Sequence, residues 1–343
     1  MQLTLARPDD FHLHLRDGAA LADLVPPVAA RFARALVMPN LTPPVTTVAA
    51  AAAYRERILA AAPAGADFTP LMTLYLTESM PTAEIKRAAA SGFIHAAKLY
   101  PAGATTNSDH GVRDVTAIYP LLEAMNEAGL VLAIHGELAD PALDPYAREP
   151  RFVEEVLAPL VARFPDLRIV LEHVSTRTAV DFVTEAGANV AATITAHHLL
   201  CSRREMFADG LSPHHYCRPV LQTEADREAL TTAATGGNPK FFLGSDSAPH
   251  PRAKKETAHA AAGIYTGYAA LELYAEAFAE AGTLDRLEAF ASRFGAAFYG
   301  LAQNSGQVTL EEAPWDAPEE LPLGDEAVVP LRAGTPLRFR LQP

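Results

Sequence analysis

The sequence predicts an α/β chain folded into a single (β/α)8 barrel, and three observations predict it. Short apolar runs rich in branched residues alternate with Ala-, Leu- and Glu-rich segments of helical spacing, the pattern of a parallel sheet clad in helices. Eight such runs fall between residues 11 and 246, and barrels of this kind typically need about 250 residues. The glycine-rich turn that would mark the rival, an open doubly wound sheet binding a dinucleotide, is missing after the first run.

The strands are expected at 11–15, 35–39, 68–76, 93–99, 130–135, 168–174, 189–196 and 240–246. Each is a continuous apolar stretch, as a strand buried on both faces requires. Helices are expected between them at 47–61, 82–90, 115–128, 149–164, 176–185 and 224–233. Thr46/Thr47, Ser175/Thr176 and Thr223 supply hydroxyl caps, the last followed at once by an acidic residue. Beyond the eighth strand, 268–281 and 284–299 read as helices, and a Pro- and acid-rich tail from about 305 ends in a strand-like 336–341. No linker divides the chain, so residues 1–343 are expected to form one catalytic domain with 264–343 packed on the barrel.

Composition narrows the function classes. With 343 residues, 49% hydrophobic and 20% charged, the chain has material for a large core. A formal charge of -13 disfavours a nucleic-acid backbone or an anionic membrane as partner. Cys201 and Cys217 are the only cysteines and are expected as free thiols in a reducing cytoplasm. Asp9 and Asp10 come too early for a signal peptide, and no stretch approaches the ~18 uncharged apolar residues of a membrane span.

The chemistry gathers at strand ends. His12 and His14 lie two residues apart in Asp10-Phe11-His12-Leu13-His14-Leu15-Arg16-Asp17-Gly18, a spacing that puts both imidazoles on one side of a strand. His135, His173 and Asp246 each follow an apolar run. In a barrel the C-terminal strand ends face one shared pocket, so four imidazoles and a carboxylate become a metal cage. Lys98 sits in Ala96-Ala97-Lys98-Leu99-Tyr100, where a buried ammonium is costly. A buried lysine loses its proton readily, and the neutral amine can take up carbon dioxide to become an anionic carbamate that bridges two metals. Two zinc ions bring about +4; the carbamate, Asp246 and a bridging hydroxide leave about +1, a pocket suited to anions.

These segments resemble the dihydroorotases of the amidohydrolase superfamily, in their single-domain bacterial and fungal form. The resemblance rests on residues 7–18, Val37-Met38-Pro39-Asn40-Leu41, Ala97-Lys98-Leu99-Tyr100-Pro101-Ala102, Ile134-His135-Gly136-Glu137, Leu171-Glu172-His173 and residues 243–250, in family order. It implies a barrel of the metal-dependent hydrolase type and the reversible cyclisation of N-carbamoyl-L-aspartate to L-dihydroorotate in pyrimidine synthesis. It further implies two zinc ions per subunit, one held by His12, His14 and Asp246 and the other by His135 and His173, with carboxylated Lys98 and a hydroxide between them. Asp246 would be the catalytic acid/base. Arg16, Asn40 and His250 would grip the substrate carboxylate, beside His14 and His135, with backbone help around Arg218 and Ala262. Arg218 stands where the family usually has an apolar residue, and Ala261-Ala262 where some relatives are cysteine-rich. A homodimer acting on a small molecule in the cytoplasm is implied as well.

Residues 101–111 are small, polar and glycine-punctuated, as expected of a mobile loop; the resemblance implies that a loop here closes over substrate, where Thr105 and Thr106 would donate hydroxyl hydrogen bonds. His197-His198 and His214-His215 are expected to make structural hydrogen bonds, and His95 and Cys217 to serve packing. Two rival readings are a different cyclic amidase, such as a hydantoinase, which lacks the Arg16 and Asn40 clamp, and a non-catalytic scaffold.

Overall fold

The computed structural model describes residues 1–208 and 210–342. Strand β1 (Gln2–Ala6) stands outside the barrel. The barrel is β2 (Asp9–Leu13), β3 (Arg34–Val37), β4 (Thr69–Tyr75), β5 (Ile94–Leu99), β6 (Val131–His135), β7 (Ile169–Glu172), β8 (Val190–Ile194) and β9 (Phe241–Leu243), all parallel and in sequential order. Every strand read from the sequence is present; β2 and β3 start two and one residues earlier than expected and end two residues sooner, and the others are shorter by one to four residues in all.

Closure is made where β2 meets the end of β9. Asp246 N donates to His12 O at 2.8 Å, and His14 N donates to Ser247 O at 3.0 Å. The Asp10 carboxylate spans the same seam, accepting from the backbone N–H groups of His12 and Ser245 at 3.1 and 2.9 Å. Close approach there needs Gly244, because a Cβ would come within 2.7 Å of Thr193 and 3.0 Å of His12.

Strand alternation sorts the core into two layers. Outward residues such as Val37, Leu74, Leu99, Ile134 and Leu171 pack beneath the helices. Inward residues Phe11, Leu36, Leu71, Ala96, Val131, Ala133, Val170, Ala191 and Phe242 fill the barrel, plugged below by Ala296 and Tyr299.

The expected helices are found at Val48–Ala61, Thr82–Ala90, Tyr119–Ala128, Arg177–Glu185 and Glu224–Thr235, with Thr47, Thr176 and Thr223 as their caps where hydroxyls cap them. Thr223 and Asp226 complete a reciprocal capping box. The helix expected at 149–164 is continuous in direction but contains a widened turn at Val153–Leu157. Helix Leu21–Arg31 was not anticipated, because Pro26 and Pro27 lie inside it.

The tail departs most from expectation. β10 (Gln307–Asp316) pairs with β1 on one side and β13 (Pro336–Leu341) on the other, and β11 (Leu321–Leu323) forms a hairpin with β12 (Glu326–Val328). Only β13 was foreseen. Among the described residues, no helix is long and apolar enough to cross a membrane.

Candidate metal centre and substrate pocket

The inward files of the barrel change character as they rise. Ala96 is followed by Lys98, Ala133 by His135, Val170 by Glu172 and Ala191 by Thr193, so the C-terminal mouth is lined by polar groups standing on an apolar plug. His12 and His14 arrive at the closing seam, His173 follows its strand directly, and Asp246 comes three residues after the end of β9. Both of the latter have left-handed backbones, with φ of 43° and 42°, as does Arg16 at 55°. Side chains rarely adopt that conformation, and the barrel holds three of them there at one mouth.

The predicted ligands converge. The His12 and His173 rings are 4.9 Å apart between centroids, as are His135 and His173, and His12 and His14 are 5.4 Å apart. Asp246 Oδ1 lies 3.1 Å from His14 Nε2 and 3.5 Å from His12 Nε2. Lys98 is fully buried beneath them with no hydrogen-bond partner on Nζ, its ammonium 5.4 Å from the centre of the Tyr100 ring. Burial lowers the Lys98 pKa to about 8, against the opposing charges of Glu172 and Asp246. The amine is therefore neutral far more often near pH 7 than an ordinary lysine.

Burial, reinforced by the Lys98 charge, drives His12 and His173 well below the usual histidine range, leaving them as neutral imidazoles with free lone pairs. Burial also pulls on Asp246, but the His14 hydrogen bond and the nearby His12, His14 and Lys98 charges outweigh it and hold the carboxyl below its ordinary value. Donor atoms of His12, His173 and Asp246 lie within 4.8 Å of one another, and His173 Nδ1 and Lys98 Nζ are buried without partners. His12 Nδ1 is 2.8 Å from Glu172 Oε2, yet out of line for a hydrogen bond. A cluster of neutral nitrogens, a carboxylate and orphaned buried donors fits a divalent metal.

Behind the ligands stand groups that fix their rings, and the sequence reading had missed them. Glu137 Oε2 lies 2.8 Å from His135 Nε2, so that nitrogen carries the proton and Nδ1 faces the cage. Asn40 Oδ1 takes His14 Nδ1–H at 2.8 Å, leaving His14 Nε2 for the cage. Glu172, raised to about 7 by burial, accepts from the Thr193 hydroxyl at 2.6 Å. Tyr100 lines the pocket with a buried, unpartnered hydroxyl. Its signal was present in the sequence, since Lys98 and Tyr100 alternate onto one face.

The substrate-binding positions border the same cavity. Arg16, Asn40, Thr105, Thr106, Arg218 and Ala262 line it, and His250 stands behind Arg16. His250 Nε2 is 3.0 Å from Arg16 Nη2 and 2.9 Å from Ala262 O, and a single ring nitrogen satisfies only one of them at a time. Burial, then the Arg16 charge, push His250 down to about 2, so its imidazole is neutral. Arg218 is among the lining residues, with its Nε donating to Tyr216 Oη at 3.0 Å and its Nη1 buried without a partner among the described residues. The loop at 101–111 is docked on the mouth, with Asn40 Nδ2 donating to Thr106 O at 3.1 Å and Thr106 Oγ1 to Ala262 O at 3.3 Å.

Of the histidines given structural roles, His198, His214 and His215 make side-chain hydrogen bonds. His197 does not, since neither of its buried ring nitrogens has a partner among the described residues.

Residues 10–314 match the amidohydrolase family. The chain is 59% identical over 339 residues to the dihydroorotase of Cupriavidus taiwanensis, covering 99% of this chain and 98% of that protein. It belongs to the amidohydrolase family, among the dihydroorotases. The solved dihydroorotase of Campylobacter jejuni superposes with a TM-score of 0.91 at 36% identity, covering 100% of this chain and 98% of that one. The Saccharomyces cerevisiae dihydroorotase, solved in complex with 5-fluoroorotic acid, gives 0.92 at 33% identity over 99% and 98% of the two chains. This dihydroorotase-type barrel therefore matches its relatives end to end, tail sheet included.

Proposed function

We propose that this chain performs the dihydroorotase reaction at the barrel mouth, opening and re-forming the ring of L-dihydroorotate. The observation that carries the reading is the convergence of His12, His14, Lys98, His135, His173 and Asp246 beside an arginine-walled pocket. His12, His14 and Asp246 would hold one zinc, His135 and His173 a second, and Lys98 as its carbamate would join them. When bound, such metals ionise water near neutral pH and polarise a carbonyl.

The protein's own groups do the rest. Arg16 offers a planar fork to the substrate carboxylate, and His250 and Asn40 Nδ2 add neutral donors to it. Asn40 Nδ2 carries two N–H donors and gives one of them to Thr106 O, so a substrate carboxylate on the other would tie substrate binding to the loop through one amide. In hydrolysis Asp246, held ionised, takes the proton of the attacking water and returns it to the ring nitrogen as the amide C–N bond breaks. In ring closure the ureido nitrogen attacks the side-chain carboxylate, and Asp246 carries its proton to the departing oxygen. Ring closure removes one carboxylate charge and so consumes a proton, which favours it at lower pH. The docked loop excludes bulk water from a condensation that water would reverse. The enzyme would serve pyrimidine synthesis in the cytoplasm as a homodimer.

The test is hydrolysis of dihydroorotate beside an unsubstituted hydantoin, with metal analysis of the parent and Lys98→Ala. A site built to pair a carboxylate should prefer dihydroorotate by on the order of 10⁴-fold, and Lys98→Ala should lose both metal and activity. Comparable rates on the two rings, or a fully metallated and active Lys98→Ala, would overturn the assignment.

A further inference from the structure

We propose that His197, His198 and Cys217 form a third metal site, separate from the cage at the barrel mouth and suited to a zinc-class divalent ion. His197 and His198 open the short helix Ala196–Leu200, which follows directly on β8, and Cys217 is brought to them by the segment that carries Arg218. All three are buried, and one donor atom from each lies within 4.8 Å of the others. Tetrahedral zinc holds nitrogen and sulfur donors about 3.3–3.8 Å apart, so small side-chain rotations bring these three into range.

His197 is the observation that calls for an ion. An imidazole always has both a donor or lone pair to satisfy on each nitrogen, and native interiors rarely leave both unmet. His197 is wholly buried with neither nitrogen partnered. His198 Nε2 and Cys217 Sγ both use the carbonyl of Pro219, at 3.3 and 3.1 Å.

The donor chemistry is that of zinc, two neutral imidazoles and a thiolate, with a fourth position left for water. On binding, the Cys217 S–H bond breaks, its proton goes to solvent and an S–metal bond forms. His198 Nε2 gives up the Pro219 carbonyl for the ion, and the ring proton then sits on Nδ1, where the Thr195 hydroxyl at 2.7 Å can accept as readily as it donates. The ion would pin the end of β8 to the stretch that presents the Arg218 side chain to the substrate pocket.

Cobalt(II) separates this site from the cage, whose ligands are all nitrogen and oxygen. Titration of the purified full-length enzyme with cobalt should raise a near-ultraviolet sulfur-to-cobalt charge-transfer band that saturates at about one equivalent per chain. The band should vanish in Cys217→Ser, fall by at least half in His197→Gln and survive in Cys201→Ser. Absence of the band in the parent at saturating cobalt, or its persistence in Cys217→Ser, would overturn the site. Should Cys217→Ser fail to fold, a band kept in His197→Gln and lost in Cys201→Ser overturns it equally.

Discussion

The two ends of the barrel interior are built from the same strands and treat polarity in opposite ways. At the lower end Phe11 stacks on Tyr299 with centroids 4.7 Å apart and meets Phe242 edge-on at 5.5 Å, a plug of aromatic carbon in which the Tyr299 hydroxyl alone among these three side chains is polar, buried without a partner among the described residues. At the upper end the same inward files carry lysine, histidine and carboxylates, with left-handed backbone at His173 and Asp246 and unpartnered atoms on Lys98 and His173. The difference teaches that rigidity is supplied from below. A cage of groups that each disfavour burial is tolerable because the layer beneath it cannot yield.

Substitutions at the two ends should therefore fail in different ways. The largest effect is expected for Asp246→Asn, which removes the proton carrier and should lower kcat by on the order of 10⁴-fold with the thermal transition little changed. A comparable loss of folding stability without loss of chemistry would break the contrast. Next comes Phe242→Ala, which should cost ~3–5 kcal/mol in denaturant unfolding, while the folded fraction keeps its turnover. Glu137→Gln should weaken metal binding by ~10–100-fold in chelator competition, since it loosens the His135 ring without removing a ligand. Thr106→Ala should reduce turnover by about tenfold and leave metal content intact; an unchanged rate would remove the loop from the mechanism. The smallest effect concerns pH. With His250 pushed down to about 2 it carries no charge to lose, so the KM for dihydroorotate should stay flat as pH crosses the ordinary histidine range. A KM that rises through that range would show that His250 binds as a cation.

How much of this was legible in the sequence follows from which signals are local. The barrel strands were readable because parallel strands buried on both faces are largely apolar runs; His135, His173 and Asp246 were readable because each follows such a run, His12 and His14 from their two-residue spacing, and Lys98 as a charge inside one. Helix Leu21–Arg31 was hidden by Pro26-Pro27, whose cost is met by tertiary packing, including the Arg31 guanidinium on Glu272 at 2.7 Å. The β1–β10–β13 sheet was hidden because β1 and β10 lie some three hundred residues apart and β10 is mostly half-exposed, with a register irregularity between Glu312 and Trp315. Glu137 and Glu172 were read only as parts of a family motif. Their roles depend on which ring nitrogen faces the cage, a matter of three-dimensional aim that spacing does not encode. The unsatisfied His197 was misjudged for the same reason.

The hydrogen bonds that close the cylinder tie His12 to Asp246 and His14 to Ser247. During translation the two histidines leave the ribosome long before the last barrel strand exists, so a growing chain lacks Asp246, the last of the first ion's proposed ligands. Full coordination of an ion held as proposed would then follow completion of the whole ring, and a chain truncated before Asp246 would retain it less tightly.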